Sequence, residues 1–341
     1  MPQRTAKQIH EKILEKDNFL LITHQNPDAD AIGSVSALGQ FLASINKKYT
    51  IFCVTPVSQQ FHFLRHARDV VNHESVWKKE YGVVIICDSG DLRYAGVDEY
   101  IKILPSKPTL INIDHHASNE NFGDYNLVIE AASSTTEIIY NFFKYNEVEI
   151  TNTMATALLS GLITDTNNFS NAGTSRQALS VASSLVKRGA QLNLIRKNLV
   201  NNRPTSIFKL WGRVLSRLDY HNETDIVYTY ITQKDLQECG ANEEETEGIA
   251  NLLNHLDEGK ASMVIREKPD GSMKTSLRTT KEDVDVSKLA QYFEGGGHKK
   301  AAGFSLKGPT DVALKNIWFT LEKFAKDNYT GVKDQRFKTE D

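Results

Sequence analysis

The sequence predicts an α/β fold in two domains: a parallel sheet with helices on both faces, then a smaller domain with a mixed sheet, joined by a helical linker. In the first half, short apolar runs alternate with helical periodicity, and no two-residue hairpin turn joins them. Beyond residue 220, the turn sequence Lys268–Gly271 joins two strand patterns, which is typical of a hairpin. Because 341 residues exceed the usual size of one domain, we divide the chain at 1–190, 191–220 (linker), 221–330 and 331–341 (polar tail).

Four buried strands are expected in the first domain, because each is a short continuous run of apolar residues. They cover 19–23, 49–54, 81–87 and 110–113. Helices are expected where apolar residues recur at helical spacing or where hydroxyl residues cap an apolar run. The predicted helical segments are 6–16, 31–45, 61–69, part of 91–103 and most of 135–189. Within the last segment, hydroxyl-capped helix starts are predicted at 133–136, 151–153 and 174–176.

The second domain is expected after a helix that runs from 193 to 218 and is interrupted at Pro204. A hairpin beside strands joined through helices predicts a mixed sheet. The predicted elements are a strand at 225–231, a helix at 243–256, strands at 262–267 and 272–278, a helix at 286–293, a glycine-rich stretch at 294–303, one more strand and a last helix from about Asp311.

Composition excludes several classes of partner. The formal net charge of -3 argues against bulk binding to long nucleic acid, but it permits a local basic pocket for a short phosphate-bearing ligand. The three cysteines, Cys53, Cys87 and Cys239, are widely spaced and predict no disulfide framework, which favours a reducing compartment and hence the cytoplasm. No stretch approaches about 18 uninterrupted apolar residues, so we expect no membrane partner.

Acidic or imidazole side chains follow four of the apolar segments. The carboxyl ends of parallel strands are where α/β folds keep their active sites, so we expect these side chains to converge. Each segment alone is weak evidence, since a polar residue at a strand end is more often structural. All four together predict one site. Its candidate residues are His24, Asp28, Asp30, Asp88, Asp114, His115, His116 and Asp165.

These residue types predict a pair of divalent cations. Four carboxylates without cations would strongly raise their own pKa values, whereas two divalent ions would cancel their charge. Two imidazoles among carboxylates favour Mn²⁺ over Mg²⁺ and leave Co²⁺, Fe²⁺ and Zn²⁺ open. We assign His24, Asp28 and Asp88 to one cation, and Asp30, Asp88, His115 and Asp165 to the other, with Asp88 bridging.

A two-cation site predicts hydrolysis of a phosphoester or phosphoanhydride, because two cations stabilise both the attacking and the leaving oxygen. Asp114 is expected to orient an imidazole rather than to bind a cation. His116 is expected to face the phosphoryl oxygens, either as a cationic clamp or as the proton donor to the leaving group.

Cationic and glycine residues outside these loops are candidates for substrate binding. Arg278 ends a predicted strand and Arg93 follows Asp88, although a solvated arginine or a surface salt bridge explains each equally well. The glycine-rich stretch is expected to form a backbone concavity whose N–H groups hold an anion, although a flexible loop is the commoner use of glycines. Its candidate residues are Gly295, Gly296, Gly297 and His298. Closure of the second domain over the first would bring these groups to the substrate.

The sequence resembles the DHH phosphoesterase superfamily over nearly its whole length. The segments that carry this resemblance in the first domain are 23–34, 87–89, 114–116 and 163–166. Residues 276–278 and 295–298 resemble the substrate-binding, DHH-associated C-terminal domain of the bifunctional oligoribonuclease and pAp phosphatase branch. The resemblance implies Mn²⁺-dependent hydrolysis of very short RNA to mononucleotides, and of 3′-phosphoadenosine 5′-phosphate (pAp) to AMP. It also suggests a homodimer.

Two other functions stay open at this point. Relatives that cleave pApA or c-di-AMP suggest a signalling phosphodiesterase, and a nucleotide-binding regulator without turnover would keep the same pocket. Four intact motifs argue against the regulator. Pyrophosphate is not expected, because family II pyrophosphatases carry a Lys/Arg-based phosphate motif where this chain has residues 295–298. A purely structural metal site seldom collects this many carboxylates.

Overall fold

In the computed structural model, the chain forms two compact units that divide between residues 202 and 203. The structure describes residues 2–171, 173–200, 204–246, 248–308, 312, 315–321 and 323. The predicted polar tail and the predicted helix start at Asp311 lie outside these residues. No helix in the described part of the chain has the length and apolar character needed to cross a bilayer.

The first sheet is parallel throughout, with strand order β2-β1-β3-β4-β5. Its strands are β1 (Phe19–Thr23), β2 (Tyr49–Phe52), β3 (Val83–Cys87), β4 (Thr109–Asp114) and β5 (Tyr125–Val128). Every residue of β1 and β3 is buried, as expected for strands covered on both faces. β5 is an edge strand that the sequence pattern did not predict, because Leu127 is its only buried residue.

Helices cover both faces of this sheet. Leu21 and Ile85 point into a core shared with α1, α2, α4, α5 and α6, while Leu20 and Ile86 pack against a 3₁₀ helix and α3. The hydroxyl caps predicted at the starts of α4, α5 and α6 are present. The helices are α1 (Pro2–Glu15), α2 (Ala29–Ser44), α3 (Asp98–Lys102), α4 (Thr135–Tyr145), α5 (Asn152–Asp165), α6 (Arg176–Lys187) and α7 (Leu192–Ile195), with 3₁₀ helices at Gln59–Phe61 and Glu74–Lys78.

The second sheet is mixed, with strand order β10-β11-β9-β8-β7-β6. β7 and β8 are parallel and the other neighbours are antiparallel. The predicted fold class is therefore confirmed for both sheets. The elements are α8 (Thr205–Leu215), β6 (Asp219–His221), β7 (Ile226–Ile231), α9 (Gln233–Cys239), α10 (Ile249–Leu252), β8 (Ala261–Glu267), β9 (Met273–Arg278), α11 (Val286–Gln291), β10 (Gly296–His298) and β11 (Ala301–Leu306).

Three predicted helices differ from the structure. The segment 61–69 contains turns after a single 3₁₀ turn, rather than a helix. The helix predicted at 243–256 is broken, because Gly248 has a φ of +90° and only α10 follows it as regular helix. The helix predicted at 193–218 consists of α7, a π-helical segment at Arg196–Val200 and α8.

Candidate metal centre

The loop after β1 places His24 beside Asp28. Nδ1 of His24 lies 2.9 Å from the carbonyl oxygen of the next residue, which leaves Nε2 for a ligand. This Nε2 lies 3.9 Å from Oδ1 of Asp28 and 3.6 Å from Oδ2 of Asp88. Asp28 is also the N-cap of α2, because its Oδ1 accepts hydrogen bonds from two backbone N–H groups of the first turn. The start of α2 therefore fixes Asp28 next to His24.

Asp30 is completely buried and lies against the first turn of α4. Its Oδ2 accepts a hydrogen bond from the backbone N–H of Thr135 (2.6 Å), and its Oδ1 accepts from the N–H (2.9 Å) and the hydroxyl (2.7 Å) of Thr136. A helix N-terminus favours a carboxylate at this position. Gly161 on α5 leaves the necessary space, since a Cβ there would lie 2.6 Å from Oγ1 of Thr136 and would overlap Asp30.

Asp88 lies between the other ligand candidates. It follows β3 with a φ of +60°, an uncommon conformation for a residue other than glycine. Oδ2 faces His24, whereas Oδ1 lies 3.7 Å from Nε2 of His115 and 3.8 Å from Nδ1 of His116. The hydroxyl of Thr135 donates a hydrogen bond of 3.0 Å to Oδ1. Each carboxylate oxygen of Asp88 is thus directed to a different imidazole.

His115 connects Asp88 with the end of α5. Its Nε2 lies 3.3 Å from Oδ2 of Asp165, and its Nδ1 lies 3.4 Å from the carbonyl oxygen of Ala132. Among the described residues, three groups have their donor atoms within 4.8 Å of one another: His24, Asp28 and Asp88; Asp30, His115 and Asp165; and Asp88, His115 and His116. The first group is the set predicted for one cation, and the second group is the set predicted for the other cation without Asp88. The ligand roles stay a prediction.

His116 is oriented by a buried carboxylate. Asp114 accepts hydrogen bonds from Nδ1 of His116 (2.7 Å) and from Nδ2 of Asn119 (2.6 Å). Burial alone would raise the pKa of Asp114, but these hydrogen bonds hold it below its usual value. The bond to Asp114 in turn raises the pKa of His116. The imidazole of His116 is partly exposed, so it can contact a ligand while Asp114 cannot.

The charges of this cluster fit divalent cations. Burial and the nearby Asp88 raise the pKa of Asp30 well above its usual value, and burial and Asp30 do the same for Asp165. Burial alone would lower the pKa of His24, but the carboxylates of Asp28 and Asp88 raise it to about 11. A cluster with these pKa values retains protons that cations would displace. Carboxylate oxygens with two imidazoles form a donor set that suits Mn²⁺ and similar ions.

Arg278 lies at the end of β9 and lines a cavity of ≈ 290 Å³ in the second unit. Its Nε donates a hydrogen bond of 3.2 Å to Oδ1 of Asn251. No carboxylate of the described residues forms an ion pair with it, and burial lowers the pKa of its guanidinium. This arrangement suits an anionic ligand. Arg93, by contrast, is exposed in the segment after β3.

The glycine-rich stretch is an edge hairpin, not the predicted loop concavity. β10 pairs antiparallel with β11, and Gly296 and His298 are exposed. Gly297 has a φ of +141°, and a Cβ there would lie 2.5 Å from Cα of Ala302. Glycine is therefore required at 297 by its backbone conformation and by the neighbouring strand. The anion-binding role of Gly295, Gly296, Gly297 and His298 stays a prediction.

Three residues of the site escaped the sequence analysis. Thr135 and Thr136 were interpreted only as part of a capped helix start, and Gly161 only as part of an apolar segment. Their contacts with Asp30 and Asp88 depend on how α4 and α5 pack on the sheet. The hydroxyl residues signal only a helix start, so no local pattern in the sequence indicates these contacts.

Comparison with known proteins identifies the family. Residues 18–162 match the DHH family, N-terminal domain, and residues 223–326 match the DHHA1 domain. The chain is 31% identical over 290 residues to the bifunctional oligoribonuclease and PAP phosphatase NrnA of Thermus thermophilus, and the alignment covers 84% of each chain. The chain belongs to the DHH family.

Two further proteins are similar to this chain over most of its length. The bifunctional oligoribonuclease and PAP phosphatase NrnA of Bacillus subtilis is 25% identical over 85% of this chain and 90% of its own. An exopolyphosphatase-related protein from Bacteroides fragilis has the same fold, with a TM-score of 0.85 at 24% identity over 95% of this chain and 97% of its own. DHH phosphoesterases are metal-dependent hydrolases of phosphoester bonds, and this chain is one of them.

Proposed function

We propose that the protein hydrolyses short oligoribonucleotides to mononucleotides and pAp to AMP, with two Mn²⁺ ions in the candidate metal centre. The observation that carries the proposal is the placement of Asp88, whose two carboxylate oxygens face different imidazoles within two adjoining donor groups. The DHH relatives named as oligoribonuclease and PAP phosphatase support this choice of substrates.

The proposed cation ligands are those predicted from the sequence: His24, Asp28 and Asp88 for one ion, and Asp30, Asp88, His115 and Asp165 for the other. Cations bound there would supply Lewis acidity that activates water and neutralises charge on the phosphoryl oxygens. Hydrogen bonds from the first turn of α4 hold Asp30 and Asp88 in place. His116, oriented by Asp114, contacts the phosphoryl group from its exposed side.

Arg278 is proposed to hold a phosphate of the substrate. Its guanidinium lacks a carboxylate partner among the described residues, and Asn251 orients its Nε. We expect the glycine hairpin and Arg93 to add contacts, as the sequence predicts. The protein is expected in the cytoplasm, where its three free cysteines would stay reduced. The suggested homodimer stays a prediction.

The function is tested by product formation from pAp, pApA, c-di-AMP, a five-residue RNA and pyrophosphate, at equal concentration, with Mn²⁺ and with a chelator. We expect fast, chelator-sensitive turnover of pAp and the short RNA. Preference for pApA or c-di-AMP would replace the proposal with a signalling role. Tight binding without turnover of any substrate would make the protein a regulator.

Asp88→Ala should abolish turnover of every substrate, because it removes a donor from both proposed cation sites. Asp257→Ala is the matched control, since it removes an exposed carboxylate of the second unit. Turnover is measured at saturating Mn²⁺ for both variants. More than about a tenth of the activity remaining in Asp88→Ala would contradict the bridging role, because loss of a shared donor should cost far more than the about 10–100-fold typical of an outer-shell residue.

A further inference from the structure

The cavity at Arg278 carries two more cations. Arg266 on β8 and Lys274 on β9 line it together with Arg278, and no acidic residue of the described chain lines it. The remaining lining includes the polar side chains of Thr246, Asn251 and Ser276. Three cationic and three polar side chains around one cavity suit a ligand with several negative charges.

Strand pairing gives the order of these cations. Arg266 lies directly opposite Lys274 in the antiparallel pair of β8 and β9. Arg278 is on the same face of β9, because residues 274, 276 and 278 alternate with the buried Thr275 and Leu277. Four residues of strand separate Lys274 from Arg278, which is about 13 Å at about 3.3 Å per residue. The cavity thus has a cationic pair at one end and a single guanidinium at the other.

The cationic pair has no carboxylate partner among the residues that the structure describes. The nearby carboxylate of Glu243 pairs with Lys268 (2.9 Å), and Glu267 accepts a hydrogen bond from the backbone N–H of Gln233 (2.9 Å). Arg266 donates to the backbone carbonyl of Glu243 (3.2 Å), which orients it without neutralising it. Like charges directly opposite on one face of a sheet destabilise it, and a bound anion would relieve that repulsion.

We propose that Arg266 and Lys274 form a second phosphate subsite, so that the cavity holds two adjacent phosphates of an oligoribonucleotide whose scissile phosphate is a third one. This inference rests on the proposed function and adds a basis for preferring substrates with three or more phosphates; pAp and pApA can fill both subsites only when no metal is bound. A volume of ≈ 290 Å³ is just below the about 300–1,000 Å³ typical of ligand pockets. The cavity therefore accepts phosphates and a sugar, while the base remains outside it.

Calorimetric titration of the full chain with AMP, pAp and pApA, in the presence of chelator, tests the second subsite. Chelator removes the metal centre as a phosphate ligand and prevents turnover. Lys274→Gln should weaken pAp and pApA about tenfold, which corresponds to about 1.4 kcal/mol, and should leave AMP within twofold. The slope of log affinity against log salt concentration for pApA should decrease in magnitude by about 0.7, which is the value for one lost phosphate contact. Arg278→Gln should weaken all three ligands.

Lys234→Gln is the control, because it removes one positive charge from an exposed position on α9. Equal weakening of AMP and pApA by Lys274→Gln, or no weakening of either, would overturn the second subsite. The proposed function is tested separately by turnover with Mn²⁺. Wild-type protein that hydrolyses pAp and short RNA, with Lys274→Gln binding like wild type, would leave the function standing and remove only this inference.

Discussion

Asp88 combines a left-handed backbone conformation, which is usually left to glycine, with a buried carboxylate that faces imidazoles on two sides. Its backbone has a φ of +60°, a conformation that costs about 1–3 kcal/mol for residues other than glycine. Its side chain is almost completely buried between His24 and His115, with a hydrogen bond from Thr135. The conformation persists because β3 and these neighbours fix both the backbone and the carboxylate. Strain at this position is the cost of directing both oxygens into the centre.

Thr136→Val should lower Mn²⁺ affinity about 10–100-fold, which is typical for loss of a residue that orients a metal ligand. The substitution keeps the shape of the side chain and removes the hydroxyl that donates 2.7 Å to Oδ1 of Asp30. Mn²⁺ affinity is measured by the loss of the free-ion electron paramagnetic resonance signal, which does not depend on turnover.

Two further variants separate this effect from a general loss of stability. Thr136→Ser restores the hydroxyl and should recover most of the affinity. Thr156→Val removes another buried hydroxyl of the first unit, one that donates 2.7 Å to the backbone carbonyl of Asn152, and should leave affinity unchanged. Equal Mn²⁺ affinity of Thr136→Val and wild type would show that the backbone N–H groups alone hold Asp30.

Sequence patterns marked the proposed cation ligands more readily than the residues that hold those ligands in place. His24 and Asp88 stand directly after apolar runs, and Asp28 follows His24 in the same loop, so the pattern of the chain marks them. Asp114 also lies in such a pattern, and its hydrogen bond to His116 agrees with the orienting role predicted for it. Thr136 contacts Asp30 across more than a hundred residues, and no local pattern predicts a contact of that range.

At the scale of elements, the first turn of α4 acts as an anchor for both donor groups. Its backbone N–H groups bind Asp30, and the hydroxyl of Thr135 binds Asp88. Ser134 caps the helix by accepting a hydrogen bond from the N–H of Glu137. This cap stabilises the first turn independently of its contacts with the carboxylates. A displacement of α4 would therefore move ligands of both proposed cations together.

An ion pair ties the segment after α8 to α9 in the second unit. Both terminal nitrogens of Arg217 donate to Asp235 at 2.6 Å, and Thr232 forms a capping box with the same carboxylate. Burial alone would raise the pKa of Asp235, but the hydrogen bonds from Arg217 and Thr232 hold it well below its usual range. The pair therefore stabilises the fold above the unfolded-state pKa of about 3.9 and loses that contribution as the pH falls further.

Asp235→Asn should lower the stability of the second unit by about 1.5–3 kcal/mol at pH 7, the range for hydrogen bonds to charged groups. The difference in stability from wild type should shrink as the pH falls below about 4, because the carboxyl group of the unfolded wild-type chain then becomes protonated and the ion pair contributes less to stability. Urea unfolding followed between pH 3 and pH 7 measures it. Glu238 lies on the same helix as Asp235 and forms an exposed pair with Arg213 of α8. Glu238→Gln should therefore change stability by no more than about 1 kcal/mol. A difference for Asp235→Asn that stays constant across this range would contradict the assigned pair.

Elements with strong local signals were predicted well. The apolar runs of β1, β3 and β4 and the capped starts of α5 and α6 lie within a few residues of their predicted positions. β5 and β10 were missed because Leu127 is the only buried residue of β5 and β10 consists of two glycines and a histidine. Both are edge strands held by backbone pairing with a neighbour, and that pairing leaves no apolar pattern in the sequence.

At the scale of the whole molecule, Mn²⁺ should protect the first unit from hydrogen exchange and leave the second sheet unchanged. Ligand binding to the native state opposes local opening by about 2.7 kcal/mol at a hundredfold excess over the dissociation constant. Protection is expected in the loops after β1, β3 and β4 and in the first turn of α4. Strands β7, β8 and β9 serve as the internal control, since they carry no proposed ligand.

Hydrogen exchange measured by mass spectrometry, with Mn²⁺ and with chelator, gives this comparison for every peptide in one experiment. Protection confined to β7, β8 and β9 would contradict the assignment of the cations to the first unit. Equal protection in Asp88→Ala and wild type would contradict the proposed ligands.

The parallel sheet of the first unit also divides its loops into two populations. Every proposed cation ligand contributed by β1, β3 and β4 lies after the carboxyl end of its strand, whereas the segments that enter these strands carry none. A library of substitutions should therefore show two regimes along the same strands, with loss of turnover at the exits and loss of folding alone at the entries. Affinity tags, insertions and circular permutations belong at the entry side, where new chain ends would leave catalysis intact.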